Sequence, residues 1–185
     1  MTDIFESDAT WKILTYFIKN PTKESYPREL EKTLKMSSGS TSTVCKKLER
    51  KGILELDKRA MSHFYRLKNE SFFVRKLKTA WFLNTLGKHK ETFAGEEFQA
   101  VALYGSYASG EFDEKSDVDI LVITNVGKPR VKELFKALEN ELTAQVSLTI
   151  LTVAQWKALA EVNDRFYKEV LANHVILYGT SILLG

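Results

Sequence analysis

Val101-Ala-Leu-Tyr-Gly105-Ser106-Tyr-Ala-Ser-Gly110-Glu-Phe-Asp-Glu-Lys-Ser116-Asp117-Val-Asp119-Ile-Leu-Val122 is the stretch that decides the fold of this 185-residue chain. An apolar run ends in Gly-Ser, a turn of small residues follows, and a second apolar run opens with Ser-Asp-x-Asp. Gly105 lets the backbone approach phosphate oxygens, and Ser106 with nearby N–H groups at a helix start can bind the charge of a triphosphate. Asp117 and Asp119 stand two apart on an expected strand, so both side chains point to one face. Two carboxylates placed this way suit Mg²⁺, which binds phosphate oxygens and stabilises a departing pyrophosphate.

Outward from this core the second half alternates. Strands are expected at 98–104, 117–124 and 146–152, with helices at 128–143 and 153–172 and a last strand around HVILYG. That order fits a sheet domain with helices on it, α/β or α+β, built on a mixed sheet. Upstream, 87–95 reads as a linker and 71–87 as a helix that is apolar on more than one face. Such a helix calls for cover on two sides, within the chain or from a second copy in a homodimer.

The first half reads as three helices and a hairpin. TWKILTYFIK (10–19) has helical apolar spacing and stops at Asn20-Pro21, while Pro27 opens RELEKTLK. In STSTVCKKLERKGIL, Thr41, Val44, Cys45 and Leu48 fall at i, i+3, i+4 and i+7, and Gly52 suits a left-handed helix end. Strands 53–57 and 63–67 follow, with Lys58 and Arg59 in the connection between them. The opposite face of the third helix offers Ser38, Ser40, Ser42, Thr43, Lys46 and Lys47. Hydroxyls there can approach base edges or phosphates, and Lys46, Lys47, Lys58 and Arg59 can neutralise phosphate charge.

Composition sets the outer bounds. No apolar run approaches the ~18 residues of a membrane span. MTDIFESDAT is acidic where a signal peptide is basic, and a lone Cys45 excludes a disulfide framework or multi-cysteine zinc site. A soluble, cytoplasmic protein is the expectation. Net charge is +3, but residues 1–90 carry 19 Lys and Arg against 10 Asp and Glu, and residues 91–185 carry 8 against 14. A +9 half beside a −6 half suggests a module for polyanions joined to a module whose carboxylates hold metal or solvate a surface. His63, His89 and His174 are scattered, which argues against a histidine metal site.

Two resemblances follow from these residues. LKMSSGSTSTVCKKLERKGIL resembles the helix-turn-helix of MarR- and ArsR-type regulators, over roughly residues 8–68, which implies a winged helix domain binding double-stranded DNA. GSYASGEFDEKSDVDILV resembles the G-S-x-A-x-G…S-D-x-D signature of the DNA polymerase β-like nucleotidyltransferase superfamily, over about 95–180. It is most similar to the minimal nucleotidyltransferases of toxin–antitoxin modules and their stand-alone relatives. The second resemblance implies nucleotide phosphates on Gly105 and Ser106, Mg²⁺ on Asp117 and Asp119, an NTP as substrate or ligand, and a hydroxyl of a protein or RNA as acceptor. The expected organisation is a winged helix domain at 1–70, a connecting helix and linker at 71–94, and a nucleotidyltransferase-fold domain at 95–185.

One position departs from that family. Where it places a third carboxylate on the next central strand, this chain reads Gln145-Val-Ser147-Leu, and a serine is neither a general base near neutral pH nor a negative charge. Glu139 and Glu141 lie just upstream as possible substitutes. Three outcomes stand open: slow catalysis on two carboxylates, nucleotide binding without transfer, or an acceptor that brings its own base. The rival to an enzyme is a transcriptional regulator whose nucleotidyltransferase-fold domain senses nucleotide or docks a protein.

Overall fold

The computed structural model describes residues 7–59, 62–94, 98–142 and 144–182. The chain divides into two compact units, Met1–Lys76 and Leu77–Gly185.

In the first unit, α1 (Asp8–Lys19) buries Ile13, Leu14, Phe17 and Ile18, and Pro27 occupies the first turn of α2 (Pro27–Leu34). Helix α3 (Ser38–Arg50) starts two residues before the expected STSTV run, because the Ser37 side chain caps it by accepting from the Ser40 N–H. Thr41, Val44, Cys45 and Leu48 form its buried stripe. The helix ends as expected at Gly52, whose φ is +70°. There the Gly52 N–H donates to Glu49 O at 2.8 Å and the Ile53 N–H to Leu48 O at 3.0 Å, the paired bonds of a Schellman end.

The hairpin that follows is longer than expected. Strand β1 (Leu54–Arg59) pairs antiparallel with β2 (Ser62–Leu67), so Lys58 and Arg59 are strand residues opposite His63 and Ser62 rather than a connection. The two residues at the tip lie outside the described residues. Ser25, between α1 and α2, adds a third strand contact by exchanging two 2.9 Å backbone bonds with Tyr65.

The unit boundary falls inside α4 (Phe72–Leu86). The stretch read as a linker is helical where described: a 3₁₀ turn at Gly87–His89 and α5 (Lys90–Phe93), with Phe93 buried. Strand β3 (Phe98–Tyr104), α6 (Gly105–Ser109), β4 (Val118–Thr124), α7 (Lys128–Glu141) and β5 (Val146–Leu151) follow, then α8 (Val153–Glu161), α9 (Arg165–Ala172) and β6 (His174–Gly179). The sheet order is β5-β4-β3-β6, with β4 and β5 parallel and the other pairs antiparallel, a mixed sheet as expected.

The apolar spacing over 153–172 predicts a single helix; two are present. Asn163 adopts φ +51°, and the Asp164 carboxylate caps α9 by accepting from the Phe166 N–H at 2.7 Å. An Asx side chain that satisfies a new helix start outweighs the continuing apolar period. Both helices cover one sheet face, where Ala100, Ala102, Tyr104, Leu121 and Ile123 pack with Trp156, Tyr167 and Val170. Trp156 also donates its indole N–H to Ile182 O at 2.9 Å. Burying each of the larger apolar side chains contributes about 1.5–3 kcal/mol, which makes this face a firm backing for the strand ends. Among the described residues, no helix is long and apolar enough to cross a membrane.

Candidate nucleotide and metal site

The site is built where β3 turns into α6. Gly105 has φ +68°, and a Cβ placed on it would stand 2.5 Å from Asp119 Oδ2. Backbone conformation and the neighbouring carboxylate therefore both require glycine. Antiparallel register sets this contact, since Tyr104 pairs with Asp119 across β3 and β4. Helix α6 lasts five residues and ends at Gly110, φ +82°, whose N–H donates to Ser106 O at 2.9 Å. The Glu111 and Phe112 N–H groups reach the same oxygen, so the Ser106 carbonyl organises the whole turn.

Asp117 sits one residue before β4 and is exposed; Asp119 lies within the strand and is half-buried. Asp119 thus stands beside Gly105, and the charge of Asp117 acts on Asp119. Burial first, then the charges of Asp117 and Glu169, push the Asp119 carboxyl above its ordinary range, and a hydrogen bond from Ser147 pulls it back. An anion raised by burial and by like charge is one that a cation would relieve.

The parallel register of β4 and β5 sets Asp119 directly beside Ser147, the position where the resembled family carries a third carboxylate. Neither Glu139 nor Glu141 is among the charges that act on Asp119, which are those of Asp117 and Glu169. Glu139 and Glu141 are in α7, and Glu141 lies 3.3 Å from His89 Nε2. Asp113 is engaged within its own loop, accepting from the Lys115 N–H at 2.9 Å and the Ser116 hydroxyl at 3.0 Å, which holds its carboxyl below the usual range.

Glu169 was missed by sequence reading. It lies on α9 one turn beyond Phe166, whose ring meets Tyr104 edge-on at 5.6 Å. Its charge acts on both Tyr104 and Asp119. Only the packing of α9 on the sheet reveals this neighbourhood, and no local motif marks it. Tyr104 itself is pushed up by burial and bonds to Thr149 Oγ1 at 3.0 Å.

Asp117 and Asp119 are hard oxygen donors of the kind Mg²⁺ takes, and Mg²⁺ is commonly held by one or two carboxylates plus substrate phosphates. Gly105 adds a cradle that a Cβ would fill. The residues present therefore fit the ion as a pair; among the described residues, no group of three or more His, Cys, Asp and Glu is placed to hold a metal.

Residues 88–177 match the nucleotidyltransferase domain. Gly105, Ser106, Asp117, Asp119 and Ser147 all lie inside the nucleotidyltransferase match, and the three N-terminal helices and the hairpin lie outside it. The chain is 29% identical over 99 residues to "Putative protein adenylyltransferase MJ0604" of Methanocaldococcus jannaschii, covering 52% of this chain and 91% of that protein. It is 38% identical over 52 residues to "Putative protein adenylyltransferase MJ0141" of the same organism, over 28% of this chain and 52% of that protein. A crystal structure of a toxin-antitoxin with AMP-PNP aligns at a TM-score of 0.37 and 22% identity, covering 53% of this chain and 73% of that one.

On the first unit, Thr43 and Lys46 are exposed on α3 and Ser40, Ser42 and Lys47 are half-buried. Lys58 is exposed at the end of β1. Arg59 is already engaged: it binds Asp57 at 2.7 Å and Glu24 at 2.8 Å, with its guanidinium 5.0 Å from the centre of the Phe64 ring.

Proposed function

We propose that the second unit transfers a nucleoside monophosphate from an NTP, ATP in the first instance, to a hydroxyl on a protein. The observation that carries this is the closure of Gly105 onto Asp119: a glycine that admits no side chain, placed against a half-buried carboxylate with Asp117 beside it. The match at 88–177 supports the reaction class, and the names of the two relatives support adenylyl transfer to protein. Gly105 and Ser106 bind the phosphates, and Asp117 and Asp119 would hold Mg²⁺. When bound, that ion neutralises charge on the triphosphate and on the departing pyrophosphate. The acceptor oxygen attacks the α-phosphorus in line as the bond to pyrophosphate breaks, and its proton leaves to a base on the acceptor or to water, because Ser147 is no general base near neutral pH.

Ser147 also favours a second reading, in which the site binds nucleotide and turns it over slowly or not at all. Calorimetric titration with ATP and Mg²⁺, paired with a pyrophosphate-release assay, separates the two. Binding with release supports transfer; binding without release supports the sensor; no binding removes both.

For the first unit we propose a winged helix that binds double-stranded DNA. Three helices, the Ser25–Tyr65 bridge and the hairpin follow that order of elements, and residues 1–76 carry 16 Lys and Arg against 10 Asp and Glu, a net of +6. Lys46, Lys47 and Lys58 would meet phosphates, with Ser40, Ser42 and Thr43 near the groove.

A further inference from the structure

Helix α4 carries a lysine in an unusual setting. Lys78 is 1% exposed; its ammonium donates to Phe112 O at 2.6 Å and stands 4.5 Å from the centre of the Phe112 ring. The next residue, Thr79, places its hydroxyl within 3.2 Å of both Tyr107 O and Ala108 O. One turn from Lys78, Phe82 packs on Tyr107 with ring centres 4.3 Å apart, and Tyr107 stacks on Phe112 at 4.1 Å. Three residues of one helix thus hold the segment from Tyr107 to Phe112.

That segment joins the two halves of the site. Upstream, the Gly110, Glu111 and Phe112 N–H groups bind Ser106 O. Downstream, Asp113 and Ser116 bond to each other, Asp113 N–H to Ser116 Oγ at 2.9 Å and Ser116 Oγ to Asp113 Oδ1 at 3.0 Å, directly before Asp117. Phe112 is therefore tied to the phosphate turn on one side and leads to the first aspartate on the other. Lys78, Thr79 and Phe82 precede the matched residues 88–177 yet belong to the same compact unit as the site.

A neutral donor could hold a carbonyl with less desolvation. Burial pushes the Lys78 amine down to about 8, while the charges of Asp113, Glu114 and Glu111 act to raise it. What a charged donor adds is a shorter, stronger bond and an attraction for the acidic loop. We propose that Lys78 is a positioning residue of the nucleotide site: its ammonium fixes the Phe112 carbonyl and so keeps Ser106 and Asp117 at the spacing that a nucleotide needs. This rests on the nucleotidyl-transfer reading above and names a part of the machinery beyond its phosphate turn and aspartates.

Among the described residues, the charges of Asp113, Glu114 and Glu111 on the loop act on the amine, and Tyr107 on α6 stacks on the Phe112 ring. Asp113 is held below the usual carboxylate range and Tyr107 is pushed above the usual phenol range, so neither changes charge near pH 8. Lys78→Met keeps the length of the side chain and removes the ammonium; Lys78→Arg keeps a charge that does not titrate there. The full chain is titrated with ATP and Mg²⁺ at about pH 7 and about pH 9, and amide exchange is followed in peptides covering 105–117.

Lys78→Met is expected to speed exchange in those peptides and to weaken ATP binding by about tenfold or more, the scale of one lost hydrogen bond to a charged group. Wild type loses affinity over that pH interval as the amine deprotonates, and both variants show a flatter profile, with Lys78→Arg nearer wild type at the lower pH. Wild-type binding that Lys78→Met matches, with unchanged exchange, overturns the positioning role and leaves the transfer reading standing. A wild type that binds no nucleotide at either pH overturns both.

Discussion

Gly52 and Gly105 provide an internal comparison that isolates the geometry of the site. Their φ angles are nearly equal, +70° and +68°, but a Cβ on Gly52 meets nothing within 4 Å, whereas one on Gly105 meets Asp119 Oδ2 at 2.5 Å. Alanine at either position carries the left-handed backbone penalty, about 1–2 kcal/mol. Gly52→Ala is expected to show that loss alone in urea unfolding of its own unit. Gly105→Ala adds a steric overlap that only movement of the carboxylate relieves. Half-buried Asp119, bonded to Ser147, must shift by roughly an ångström, a displacement that costs on the order of a hundredfold in a reactive geometry. ATP and Mg²⁺ binding measured by calorimetry, and pyrophosphate release, are the assays. Gly105→Ala should lose most of both, while Gly52→Ala retains wild-type values. A Gly105→Ala protein that binds and reacts as wild type, with no larger stability loss than Gly52→Ala, would refute the placement of Asp119 against the turn.

Three other outcomes follow from the same geometry. Ser147→Asp puts a carboxylate beside Asp119 in the register of β4 and β5, so pyrophosphate release with Mg²⁺ should rise while stability without divalent ions falls. The Asp119 carboxyl is raised on folding, so the stability it contributes is present below its unfolded pKa, about 3.9, and is lost as pH climbs through the folded value. Asp119→Asn should therefore be the more stable protein in metal-free thermal melts at neutral pH, with the gap closing in acid; a less stable Asp119→Asn contradicts the burial and charge argument. In duplex DNA binding, Lys46→Ala with Lys47→Ala should weaken affinity and reduce its salt dependence more than Arg59→Ala, because Asp57 and Glu24 already match the charge of Arg59. Equal effects would count against that use of the hairpin.

The contrast between what was legible and what was not has physical causes. Gly105 and Asp119 could be read because a close backbone contact demands glycine and Asp119 lies on a strand rich in Val and Ile, whereas Asp117, expected on that strand, falls one residue before it. Ser147 could be placed because parallel pairing preserves register. The buried stripe of α3 and its end at Gly52 were equally local. The break between α8 and α9 was hidden because apolar spacing continues through it, and only Asn163-Asp164 marks it. Lys58 and Arg59 were assigned to a turn because charge resembles a loop, although a hairpin ladder tolerates charge on its exposed edge. Lys78 and Glu169 carry no sequence signature at all. Each matters through what tertiary packing sets beside it: a carbonyl 34 residues away for Lys78, a strand aspartate for Glu169.

The most direct test of nucleotidyl transfer on Asp117 and Asp119 is to incubate the full chain with ATP labelled at the α-phosphate, Mg²⁺ and candidate protein acceptors. Label should appear on an acceptor with pyrophosphate released, and both should vanish in Asp117→Asn and Asp119→Asn. Labelling that persists undiminished in those variants, or that never appears in wild type, would contradict the account.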